Sequence, residues 1–128
     1  YAWNDAMRIV EKTLAYTNHT VMQEALEVWE AELVRSVCPA AFAVIELIQA
    51  ELEREMAERH AVRDPLNIVT GNRIHMAHLA SYVGYAINGV NSYLYHSYVA
   101  PCDSLLGLRY VILTNRISSH PQLHKKSS

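Results

Sequence analysis

The chain has 128 residues, 51% of them hydrophobic and 19% charged, with a formal net charge of −2. That length and apolar content suit a folded domain that buries its own core and exclude a disordered chain. The small negative charge excludes the basic field that nucleic-acid binding needs, and no apolar run reaches the roughly 18 residues of a membrane span.

The first predicted element is a helix. Trp3, Met7, Val10 and Leu14 fall at i, i+4, i+7 and i+11, one face of a 3.6-residue period. Asn4 or Asp5 offers its N-cap. Tyr16-Thr17-Asn18-His19-Thr20 interrupts the pattern with residues that favour loops and caps. Thr20 and Gln23 have capping-box spacing, and a short helical piece is predicted through residues 24–29. One or two more turns follow over residues 32–37 and stop before Pro39.

The longest predicted helix covers residues 40–60, with Phe42, Ile45, Ile48, Leu52 and Met56 as its buried stripe. Its second half carries Glu51, Glu53, Arg54, Glu55, Glu58 and Arg59 and reads as a solvated face. Within it Glu51–Glu55 is a like-charge pair and Glu55–Arg59 a favourable one. Residues 61–65 form a connection. Residues 66–74 are β-branched around Gly71-Asn72, a pattern that suits a small hairpin or an irregular lead into the next helix.

Helical periodicity returns at Ile74 and runs through His75, Met76, Leu79, Val83, Ala86, Ile87 and Val90, with a bend expected at Asn88-Gly89. Another helical piece is predicted from Asn91 to Val99, ahead of Pro101. The apolar, β-branched stretch from Leu105 to Ile117 is compatible with helix or strand. The expected fold is mainly α: a single helical domain over residues 1–128, of about five to seven helices, with a short hairpin near 66–74.

Few residues carry a chemical signature by themselves. Cys38 and Cys102 form no Cys-x-x-Cys motif and read as reduced, buried thiols of a cytoplasmic protein. The sequon Asn18-His19-Thr20 reads as chance. His75 with His78 and His120 with His124 have ligand-compatible spacings but lack a third ligand, so no metal site is assigned. The four glycines build no phosphate loop, and there is no nucleophile elbow. Glu24 and Glu27 read as solvated carboxylates. Tyr82, Tyr85, Tyr93, Tyr95 and Tyr98 read as packing aromatics with wet hydroxyls, or as a stacking platform for sugars or bases. No catalytic residue is assigned.

The run from Glu11 to Trp29, which contains Ala15-Tyr16-Thr17-Asn18-His19-Thr20-Val21 and Glu24-Ala25-Leu26-Glu27-Val28-Trp29, closely resembles the glycogen, starch and maltodextrin phosphorylases. Their pattern there is A-Y-T-N-H-T-V followed by E-A-L-E-x-W. Arg73-Ile74-His75-Met76-Ala77-His78-Leu79 resembles the family's R-I-N-M-A-H-L, and Ala86-Ile87-Asn88-Gly89-Val90 resembles A-V-N-G-V. Thr114-Asn115-Arg116-Ile117 is a weak echo of T-N-G-I.

The resemblance implies phosphorolysis of α-1,4-glucans to glucose 1-phosphate with pyridoxal phosphate, whose own phosphate serves in acid–base catalysis. It implies that His19 contacts the glucosyl unit and that Asn115 hydrogen-bonds the sugar's 6-hydroxyl. A neutral imidazole or amide suits a hydroxyl that both donates and accepts.

Departures from the pattern limit what is carried over. Arg116 replaces the family glycine, Ser118-Ser119-His120 stands where R-R-W-L is expected, and His96-Ser97 comes two places late. The family's cofactor lysine and phosphate clamp are expected beyond this stretch. The expected role is therefore a cytoplasmic fragment of the phosphorylase N-terminal catalytic domain, inactive alone and holding no cofactor of its own. Glucan or maltooligosaccharide is its expected ligand, with self-association or a missing partner domain expected through the tyrosine-rich segment. The alternatives are a stand-alone helical interaction or carbohydrate-binding module, or a designed or structural helical domain without catalysis.

Overall fold

The longest helix begins at a proline. Pro39 is tolerated there because the first helical position needs no intrahelical N–H bond. The computed structural model describes residues 1–18, 26–58 and 67–89, together with the backbone of two strands at 110–113 and 122–124. In it α1 spans Trp3–Thr13, α2 Ala31–Val37, α3 Pro39–Glu58 and α4 Met76–Val83. The mainly helical class expected from periodicity is present. Phe42, Ile48, Leu52 and Met56 are buried along α3, as the stripe predicted, and Ile45 packs partly buried against them.

The strands are β1 (Val28–Glu30), β2 (Val69–Thr70), β3 (Arg73–His75), β4 (Ala86–Gly89), β5 (Tyr110–Leu113) and β6 (Gln122–His124). β1, β3 and β2 form one antiparallel sheet in that order, with Trp29 opposite Ile74 and Val69 opposite Ile74. β4 pairs parallel with β5, and β5 antiparallel with β6. The expected hairpin is β2–β3, turned by Gly71 at φ 59° and Asn72. That left-handed φ is why glycine stands there.

Asn72 also links the hairpin to α2. Its backbone oxygen accepts from Ala31 N at 2.9 Å and its side-chain oxygen from Glu32 N at 3.0 Å. Those are two of the amides a helix N-terminus leaves without internal partners. Glu30, the N-cap residue, makes no side-chain cap of its own. Ile68 and Ile74 are fully buried and belong to the same core cluster as the α3 stripe. The Arg35 guanidinium of α2 lies 4.6 Å from the centre of the Phe42 ring.

The charge run on α3 is less solvated than its sequence suggests. Trp3 Nε1 donates to Glu51 Oε2 at 3.1 Å, and the Tyr82 hydroxyl donates to Glu55 Oε1 at 3.1 Å. The like-charge pair Glu51–Glu55 thus takes donors from α1 and α4, and Arg59, the expected partner of Glu55, lies outside the described residues. Arg54 and Glu58 form an exposed ion pair at 3.1 Å.

Other expectations change. Val28 and Trp29, read as helical, lie in β1 because β3 supplies ladder partners that local propensity does not foresee. Ala86–Gly89, read as a continuation of the α4 period, forms β4: Gly84 is extended at φ −65°, ψ 150°, which ends the helix. α1 starts at Trp3 with Ala2 at its cap and no side-chain capping bond, so neither Asn4 nor Asp5 is its N-cap. The stretch 105–117, compatible with helix or strand, contains a strand at 110–113. Cys38, expected to be buried, is exposed at the C-cap of α2, and Cys102 lies outside the described residues. Thr20 with Gln23, the connection at 61–65 and the piece at 91–99 lie outside the described residues. No helix among the described residues is long and apolar enough to cross a membrane.

Candidate functional site

A cleft of about 550 Å³ opens between the end of α1 and the start of β4. Val10, Leu14, Ala15, Tyr16 and Asn18 line one side; Met76, Ala80, Ser81, Gly84, Tyr85 and Ile87 are among those lining the other. The amphipathic period that packs the partly buried Trp3 and Met7 against the core also brings Val10 and Leu14 to this cleft. Close approach matters at Gly84, where a Cβ would sit 2.8 Å from the backbone oxygen of Ala80.

None of the residues lining the cleft is charged. Its polar groups are hydroxyls and one amide, on Tyr16, Asn18, Ser81 and Tyr85, set among aliphatic side chains. Apolar walls with a few placed polar groups suit a neutral, hydroxylated ligand.

Glu27 joins the two sides. The Tyr16 hydroxyl donates to its Oε2 at 3.1 Å, and Trp29 Nε1 donates to its Oε1 at 2.8 Å. Its backbone oxygen accepts from Met76 N, at the start of α4, at 3.2 Å. Burial raises the Tyr16 pKa above its ordinary 10.0, and the hydrogen bond and negative charge of Glu27 raise it further. Glu27, which by sequence reads as a solvated carboxylate, holds two side chains instead. The strand at 28–30 is the signal that would reveal it, and local sequence there favours helix.

Beside the cleft, the His75 and His78 rings stack with centroids 5.0 Å apart. His78 Nδ1 lies 2.8 Å from the Asn67 carbonyl oxygen, which makes that nitrogen the donor. Burial, and then the neighbouring His78 and Arg73, lower the His75 pKa below its ordinary 6.5. Among the described residues no group of three or more His, Cys, Asp or Glu could hold a metal ion.

The two residues expected to contact sugar, His19 and Asn115, lie outside the described residues, as does His120. Asn18, next to His19, lines the cleft. The tyrosine cluster is divided: Tyr82 is buried in the core, Tyr85 is exposed on the cleft, and Tyr93, Tyr95 and Tyr98 lie outside the described residues.

A model of the phosphorylase family, described as carbohydrate phosphorylase, matches residues 1–118. The chain belongs to the carbohydrate phosphorylase family. It is 44% identical over 64 residues to alpha-glucan phosphorylase 1 of Arabidopsis thaliana, covering 50% of this chain and 7% of that protein. It is 39% identical over 89 residues to maltodextrin phosphorylase of Streptococcus pneumoniae, covering 68% and 11%. It is 41% identical over 95 residues to the liver form of glycogen phosphorylase of Bos taurus, covering 69% and 11%. The match thus spans 7% to 11% of the length of these relatives.

Full-length carbohydrate phosphorylases depend on pyridoxal phosphate. The lining of the cleft does not fit that group. The lysine among the described residues, Lys12, is exposed on α1 and does not line the cleft, and no arginine lines it either. An anionic cofactor held through a lysine would need both a reachable amine and a cationic cradle.

Proposed function

We propose that this chain supplies part of the glucan-holding wall of a carbohydrate phosphorylase and does not carry out phosphorolysis by itself. The observation that carries this reading is the uncharged cleft between Tyr16–Asn18 and Ala80–Ile87. A glucosyl ring is neutral, with apolar C–H faces and a hydroxyl rim, and suits such a lining. His19 and Asn115 are its proposed hydroxyl partners.

Titration calorimetry with maltopentaose tests the proposal. Saturable binding that weakens roughly tenfold in His19→Ala, about one lost hydrogen bond, supports it. No binding by the wild-type chain would overturn it. An assay for glucose 1-phosphate with added pyridoxal phosphate and inorganic phosphate is expected to show no turnover.

One domain over residues 1–128 is part of this proposal; the core cluster shared by the helices and the β1–β3 sheet supports it for residues 3–87. Exposed Leu33, Val37, Val44 and Leu47 on α2 and α3 support contact with a second copy or with further phosphorylase polypeptide. Light scattering tests the former. The free, exposed Cys38 supports a reducing, cytoplasmic setting.

A further inference from the structure

We infer that Glu27 is a positioning residue: its carboxylate clasps Tyr16 and Trp29, fixing the wall of the cleft that Tyr16 and Asn18 line. The inference rests on the reading of the cleft as a sugar site.

The geometry is specific. Tyr16 and Glu27 are 11 positions apart, and their bond closes the chain over the intervening residues, His19 among them. Each carboxylate oxygen takes a different donor, Oε2 from Tyr16 and Oε1 from Trp29. Trp29 is held in turn by the β1–β3 ladder opposite Ile74, which is fully buried. The Glu27 backbone oxygen accepts from Met76 N, and Met76 lines the opposite side of the cleft. One residue therefore refers the Tyr16 side to both the sheet and α4. Bringing two points of a chain together costs entropy, and a Tyr16–Glu27 contact that is already made reduces what a ligand must supply on binding.

The substitutions separate the chemistry from bulk packing. Gln at this position can still accept from Trp29 through its oxygen and donate to the Tyr16 hydroxyl oxygen through its amide. Ala can do neither. Because the Glu27 side chain is exposed, neither change empties the core.

The experiment uses the whole 128-residue chain. The Tyr16 phenol is titrated by carbon NMR, assigned by its loss in Tyr16→Phe, and maltopentaose affinity and backbone hydrogen exchange over residues 17–26 are measured alongside. In Glu27→Ala, the Tyr16 pKa is expected to fall toward 10.0, exchange in 17–26 to quicken, and affinity to weaken about fivefold to tenfold. Glu27→Gln is expected to lower the Tyr16 pKa as well, because the charge is gone, yet to restore exchange and affinity to within about twofold. Tyr16→Phe combined with Glu27→Ala is expected to be no weaker than Glu27→Ala alone.

An unmoved Tyr16 pKa in Glu27→Ala, or affinity and exchange equal to wild type, overturns the clasp. If the wild-type chain does not bind maltopentaose, the proposed function falls. The Tyr16 titration and the exchange rates then still decide for or against the clasp.

Discussion

Gln49 Oε1 accepts a hydrogen bond from the backbone N–H of Ile68 at 2.8 Å, and this buried contact pins the start of the β2–β3 hairpin to α3. The same oxygen accepts from Val69 N at 3.1 Å. The Gln49 amide nitrogen donates to Asn67 Oδ1 at 2.8 Å and to Glu53 Oε1 at 2.9 Å. The side chain is thus satisfied on every side, the condition under which a buried polar group is tolerated. Gln49→Leu removes the acceptor and leaves two amides without it. We expect a loss of about 2–3 kcal/mol in stability, read from urea unfolding followed by circular dichroism. A loss below about 0.5 kcal/mol would show that the hairpin is held from elsewhere.

Two glycines are expected to respond differently to the same substitution. At Gly71 an added Cβ meets nothing within 4 Å, so Gly71→Ala carries only the cost of its left-handed φ, about 1–2 kcal/mol. At Gly84 the Cβ would meet the Ala80 oxygen at 2.8 Å, and that oxygen is backbone held by the Gly84 N–H at 2.9 Å. The last turn of α4 must shift, and with it the wall of the cleft. Thermal melts and maltopentaose titration read both effects: Gly71→Ala lowers stability with affinity within about twofold, whereas Gly84→Ala lowers both.

These responses also show which parts of the fold were legible in the sequence. The α3 stripe and the Gly71-Asn72 hairpin follow from local rules, the 3.6-residue period and turn chemistry. β1 and β4 do not. Val28-Trp29 and Ala86-Ile87 carry no local signal that outranks a continuing helix, and they become strands because residues far along the chain, 73–75 and 110–113, supply their partners. The cleft was partly legible, since Tyr16-Thr17-Asn18 stood out as a break after α1. Its opposite wall depends on where α4 stops, and Glu27 depends on β1, so neither could be read before the pairing was known.

The uncharged lining of the cleft predicts how binding depends on salt. Maltopentaose affinity should change by less than about twofold between low and high salt, because no charged side chain in the cleft is there to be screened. Glucose 1-phosphate should bind no better than glucose. A steep loss of affinity with salt, or a strong preference for the phosphorylated sugar, would mean that cationic groups outside the described residues dominate the site.

His75 predicts a pH dependence of stability. The family pattern R-I-N-M-A-H-L has asparagine at this position, so the titratable ring is a departure carried by this chain. Burial and the nearby His78 and Arg73 lower its pKa in the folded state below the ordinary 6.5. Between the two values the unfolded chain binds more protons than the folded one, so unfolding is favoured as the pH falls. The stability that goes with a neutral His75 is therefore present above about pH 6.5, declines as the pH drops below it, and is fully lost beneath the folded-state value. His75→Asn should remove this component and leave every other group in place. Urea midpoints measured across this window should fall more steeply for the wild-type chain than for His75→Asn, with the difference vanishing above neutral pH apart from a constant offset. Parallel curves would show that the His75 ring titrates alike in both states and that its stacking on His78, at 5.0 Å, imposes no cost on the charged form.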